Sequence, residues 1–162
     1  MIDQNLVLKL FRYENGELYW KEKSSPKSRV SIGSKVISKC VDGYHRVCIN
    51  GKSYKLHRII FLYHHGYIPE IVDHIDCNKD NNYIENLRPA NKKQSQHNKR
   101  LQINNKSGIK GVNWCNNKKK WRARCQVNGN RKSKYFDDKI ESHKYITQYR
   151  KQLHGEFTNN GV

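Results

Sequence analysis

Asp73 and His74 are adjacent, and Asn86 follows twelve residues after His74. These residue types suit hydrolysis of a phosphodiester. That reaction needs a deprotonated water, stabilised charge on the phosphate, and a metal ion or an acid at the leaving oxygen. Asp73 offers hard oxygens to Mg²⁺ or a similar ion. His74 titrates in the range a general base requires. A neutral imidazole works as a base when its other nitrogen is held, and the side-chain oxygen of an Asn could hold it. Taken alone, an Asp-His dipeptide is most often a surface pair in a turn.

The surroundings change that reading. Ile71-Val72 begin a short strand, CNKDNN is a loop rich in turn formers, and the polar, basic stretch from Ala90 to Leu101 suits a helix. The whole stretch VDHIDCNKDNNYIENLRPAN resembles the H-N-H nuclease motif of phage and intron homing endonucleases, and the resemblance extends upstream through LHRIIFLYHHGYIP. It implies a ββα-metal finger, with Asp73 as metal ligand, His74 as general base and Asn86 as the residue that orients His74. The family usually carries a second metal ligand, His or Asn, one turn into the helix. Ser95 stands there in this chain, with His97 close by as the alternative ligand. A serine hydroxyl is a poorer ligand than an imidazole or an amide oxygen. His57, in the same upstream stretch, is read either as a packed or capping residue or as a phosphate contact.

Charge points to the partner. Lys and Arg number 32 against 14 Asp and Glu, a net +18. Such an excess favours a polyanion, because each neutralised phosphate releases condensed counterions. Residues 1–60 hold 12 Lys/Arg against 5 Asp/Glu, residues 61–103 hold 6 against 5, and residues 104–162 hold 14 against 4. Basic flanks around a near-neutral middle suggest that the flanks hold the polyanion. Five cysteines without a C-x-x-C pair argue against a structural zinc site and a disulfide framework. No membrane partner and no zinc are expected, and the chain reads as soluble and cytoplasmic.

The flanks carry their own patterns. Residues 4–13 suit a short helix, Asn15-Gly16 a hairpin turn, and Asp42-Gly43 and Asn50-Gly51 two more turns around an alternating run. Residues 56–65 have apolar positions at helical spacing and end at Gly66. Beyond the linker NNKSG, three short strands with turns at Asn116-Asn117 and Asn128-Gly129 precede an amphipathic helix capped by Asp138 and ended at Gly155. The residues Ser107-Gly108, Lys110-Gly111-Val112, Trp114, Lys120 to Arg124, Tyr135-Phe136-Asp137 and Leu153-His154-Gly155 make this segment similar to an AP2 domain. That resemblance implies a basic sheet reading the major groove. Lys110, Trp114, Trp121, Arg122, Arg124, Arg131 and Lys132 are the candidate DNA contacts, with Arg122 and Arg124 sharing one strand face.

The fold expected is α+β: an N-terminal β-rich lobe over residues 1–55, an H-N-H core over 56–103, and an AP2-like three-stranded sheet plus helix over 104–162. The function expected is a homing-type or phage-encoded endonuclease on double-stranded DNA, dependent on a divalent metal, Mg²⁺ or else Mn²⁺, and monomeric or dimeric. Two readings from other classes stand beside it. One is a DNA-binding regulator with a decayed H-N-H core, for which Ser95 argues. The other is a basic RNA-binding protein, against which the ordered Asp-His…Asn motif counts.

Overall fold

A computed structural model describes residues 2–127 and 130–161. It divides into two compact units, one running to Lys92 and one starting at Lys93.

The first unit is built from hairpins and one buried helix. Helix α1 (Gln4–Leu10) is capped by the Asp3 side chain, which accepts from the Leu6 N–H at 2.8 Å. It leads into the hairpin β1 (Phe11–Glu14) and β2 (Glu17–Trp20). The turn between them needs positive φ at both Asn15 (49°) and Gly16 (81°), as a two-residue hairpin of this hand requires. A second hairpin, β3 (Arg46–Ile49) and β4 (Lys52–Lys55), runs straight into α2 (Leu56–His65). Helix α2 buries Leu56, His57, Ile59, Ile60, Phe61 and Leu62, and Gly66 ends it in the left-handed region. Strands β5 (Ile71–His74) and β6 (Leu87–Ala90) pair antiparallel. One apolar core joins all these pieces, including Phe11, Leu18, Val47, Ile59, Ile60, Val72 and Leu87. Hydrophobic burial of this kind is what fixes short strands that would be marginal alone.

Helix α3 (Lys92–His97) follows β6 and is shorter at both ends than the Ala90–Leu101 stretch suggested; its start is delayed because Ala90 is drawn into the β6 pairing opposite Ile71. The rest of the second unit is an antiparallel sheet of β7 (Val112–Cys115), β8 (Lys120–Val127) and β9 (Asn130–Phe136), in that order, with α4 (Lys139–His154) packed on one face. Val112, Ala123, Cys125 and Ile146 make its core. The Asp138 side chain accepts from the Glu141 N–H at 2.8 Å, which caps α4. The expected turn at Asn128-Gly129 lies outside the described residues. No helix among the described residues is long and apolar enough to cross a membrane.

Candidate active site

Strand β5 carries Asp73 and His74 side by side, both buried. Because successive strand residues point to opposite faces, their side chains diverge and take different partners. Asp73 faces Arg88 across the β5–β6 pairing. Its Oδ2 accepts from Arg88 Nε at 3.3 Å and Nη2 at 3.2 Å, with both side chains largely excluded from solvent. A desolvated pair of this kind holds the carboxylate in one orientation.

The His74 ring is held differently. Its Nε2 lies 3.0 Å from Asn82 Oδ1, and both residues are buried. A carboxamide oxygen only accepts, so Nε2 carries the proton and Nδ1 keeps its lone pair. Burial pushes the His74 pKa below the ordinary imidazole value, with the Asn82 hydrogen bond and the charges of Asp76 and Asp73 acting the other way. The net result is a neutral imidazole with one basic nitrogen.

This corrects the expectation for Asn86. None of its hydrogen bonds goes to His74. Asn86 Nδ2 donates to Asp76 Oδ1 at 2.9 Å and to the Asn81 carbonyl at 2.8 Å, while its Oδ1 accepts from the Asp76 N–H at 3.1 Å. The reason is the loop between β5 and β6, which folds around the Asp76 carboxylate. Asn81 Nδ2 and the Asn78 N–H, each at 2.7 Å, also donate to Asp76. Burial works against the Asp76 charge, yet these donors outweigh it and leave its pKa lowered. Asn86 therefore shapes the loop, and the loop presents Asn82 to His74.

The N-terminal hairpins brace that loop. A Cβ on Gly16 would lie 3.0 Å from the Tyr83 backbone nitrogen and 3.2 Å from the Asn82 carbonyl carbon. The Tyr13 hydroxyl accepts from the Ile84 N–H at 3.1 Å. Asp80 is held by Lys39 at 2.8 Å and His45 at 2.9 Å, and Lys79 Nζ donates to the Asp42 carbonyl at 2.8 Å.

Sequence reasoning missed Asn82 and left His57 open. His57 is 4% exposed, and its ring centroid lies 4.8 Å from that of His74 at 61°. Tyr44 completes a cluster of three rings, 5.1 Å from His57 and 6.2 Å from His74. Burial, then the electrostatic influence of the neighbouring His74, Lys55 and Arg58, depresses the His57 pKa to about 3. His57 is thus a packed, neutral neighbour of His74. The stretch LHR was visible in the sequence, but its burial depends on α2 packing against β5.

In the second unit, Ser95 is half-buried on α3, and the His97 ring is stacked on His154 at 3.7 Å. Among the described residues no group of three or more His, Cys, Asp and Glu could hold a metal ion. The seven candidate DNA contacts separate. The register pairs Asn113 with Arg122, Arg122 with Tyr135, and Arg124 with Ser133, which sets these on the sheet face away from α4, along with Arg131 opposite Gln126. Trp114 and Trp121 pair with each other on the other face, where Trp121 packs on the core. Lys132, opposite Cys125, shares that face. The Lys110 ammonium donates to the backbone carbonyls of His97, Lys99 and Asn159.

A buried Asp-His pair thus lies on a two-stranded finger, with an amide-rich loop holding the imidazole. A family model described as HNH endonuclease matches residues 54–97. Protein 3.8 of Escherichia phage T7 is 34% identical over 94 residues, covering 57% of this chain and 78% of that protein. The chain belongs to the same family as that phage protein, and its residues 54–97 match the HNH endonuclease domain. No solved structure matches it.

Proposed function

We propose that this protein is a metal-dependent DNA endonuclease in which His74 removes a proton from the attacking water. The observation that carries this reading is the hydrogen bond from His74 Nε2 to Asn82. It fixes the tautomer that leaves Nδ1 as the base, in a setting whose burial keeps the ring neutral. Arg88 orients the Asp73 carboxylate. HNH nucleases generally use a divalent metal. The donor chemistry suits a hard ion such as Mg²⁺ or Mn²⁺, which keeps several waters and takes one or two carboxylates. It suits zinc poorly, since zinc takes three or four nitrogen and sulfur ligands. Asp73 would hold the ion with Ser95, or His97 as the alternative, and the ion would supply charge stabilisation at the phosphate and leaving oxygen.

Functionally we assign residues 1–55 to a bracing lobe, 56–103 to the nuclease core and 104–162 to an AP2-like module that holds duplex DNA. Arg122, Arg124 and Arg131 on one sheet face are the contacts this assignment favours, and the excess of Lys and Arg in that segment supports it. The likeness to a phage protein supports an enzyme of phage type acting inside the host cell.

The test is His74→Ala on a supercoiled plasmid. Binding should persist while cleavage slows by on the order of 10²–10⁴. Cleavage at the original rate would remove His74 from the mechanism.

A further inference from the structure

The cations around the candidate site divide into two kinds. Lys39, Arg46 and Arg88 are ion-paired with Asp80, Asp42 and Asp73. Lys55 and Lys79 make no ion pair among the described residues. Both ammonium groups sit on the ring of Tyr44 instead, with Nζ 3.9 Å from its centroid for Lys55 and 4.5 Å for Lys79. The same ring is the third member of the cluster with His57 and His74.

Two like charges converging on one ring repel each other, and a ring quadrupole compensates each only in part. Local anchors hold them there nonetheless. The Lys79 ammonium donates to the Asp42 carbonyl at 2.8 Å. Gly43, at φ 78°, forms the turn that swings Tyr44 inward, and a Cβ there would touch the Lys79 side chain at 3.5 Å. Lys55 is the last residue of β4, fixed where α2 begins. The pair is therefore preorganised, without a direct ion pair to a carboxylate among the described residues, although the Asp42 carboxylate acts on Lys55 at longer range, and it lies one ring away from the imidazole proposed as the base. A preorganised pair of cations beside a hydrolytic centre matches a polyanion that has to lie across it.

We propose that Lys55 and Lys79, seated on Tyr44, form a phosphate seat that grips the DNA backbone next to the phosphate being cut. Its location beside the cut rests on the endonuclease reading. The contact with DNA does not, and it is tested without cleavage. Full-length protein is titrated with a short duplex DNA in EDTA across a range of salt concentrations. Each of Lys55→Gln and Lys79→Gln should flatten the slope of log K against log salt by about 0.9, and the double variant by twice that. Lys55→Arg with Lys79→Arg should keep the wild-type slope, because charge is retained. Lys9→Gln, which removes a lysine already paired with Glu22, is the control and should leave the slope unchanged. A double Gln variant with the wild-type slope overturns the proposal. So does a Lys9→Gln variant that flattens the slope as much, because the effect would then be overall charge. If His74→Ala cuts at the wild-type rate while the double Gln variant flattens the slope, the catalytic assignment fails and the seat stands.

Discussion

Replacing Asn82 tests the geometry of the base most sharply. Asn82→Ala removes the acceptor at 3.0 Å from His74 Nε2, and both groups are buried. A buried donor left without a partner costs about 1–3 kcal/mol of stability. The larger consequence is chemical. Asn82 is the acceptor that selects the tautomer, and loss of such an orienting partner lowers activity by roughly 10–100-fold. Asn82→Asp adds a sign. A carboxylate at the same place favours the imidazolium, so the His74 pKa rises. The base works only when neutral, and in the wild type burial holds its pKa below the ordinary value of about 6.5. The acid limb of the rate profile should therefore lie below about pH 6.5 in the wild type and move upward in Asn82→Asp. Plasmid nicking rates measured from pH 5 to 9, alongside urea unfolding, read both effects. An Asn82→Ala enzyme that cuts within twofold of wild type, or an Asn82→Asp limb that shifts downward, refutes the reasoning.

Three further outcomes follow from the same packing. His57, whose folded pKa is depressed to about 3, must take up a proton when the chain unfolds in acid. Its contribution is complete above about pH 6.5 and is lost as pH falls below that value, by about 3 kcal/mol near pH 4 at 1.4 kcal/mol per unit. His57→Phe should unfold with a shallower acid dependence than wild type over that window, and equal slopes would show that the ring is not buried as described. Gly16→Ala, at φ 81° and against the Tyr83 backbone, should cost about 1–3 kcal/mol in urea melts and also slow cleavage by displacing Asn82; a loss of stability with unchanged kcat would separate the hairpin from the site. Ser95→Asn should lower the Mg²⁺ concentration giving half-maximal nicking, whereas a large effect of His97→Ala and none of Ser95→Asn would move the second ligand to His97.

Much of this arrangement is legible in the chain itself, for reasons that are local. The Asn-Gly and Asp-Gly pairs mark their turns because positive φ is needed there, and Leu56, Ile59 and Ile60 announce α2 by spacing. The Asp73-His74 pair is legible as chemistry. Which amide serves His74 is not, because Asn81, Asn82 and Asn86 are chemically equal choices on one loop. Only the way the loop wraps Asp76 turns Asn82 inward and Asn86 aside. Lys110 reads as a basic residue in a basic segment, and its capture by three carbonyls arises from chain segments distant in sequence. The separation of Trp121 from Arg122 and Arg124 follows from strand alternation, but which face takes the helix depends on α4 packing.

The central claim is that this protein cuts DNA with the help of a divalent ion. Incubating the full-length protein with supercoiled plasmid in Mg²⁺, in Mn²⁺ and in EDTA tests it most directly. The account predicts nicked or linear product with one or both ions and none in EDTA. Product formed equally well in EDTA, or intact plasmid bound by the protein in every condition, would contradict it.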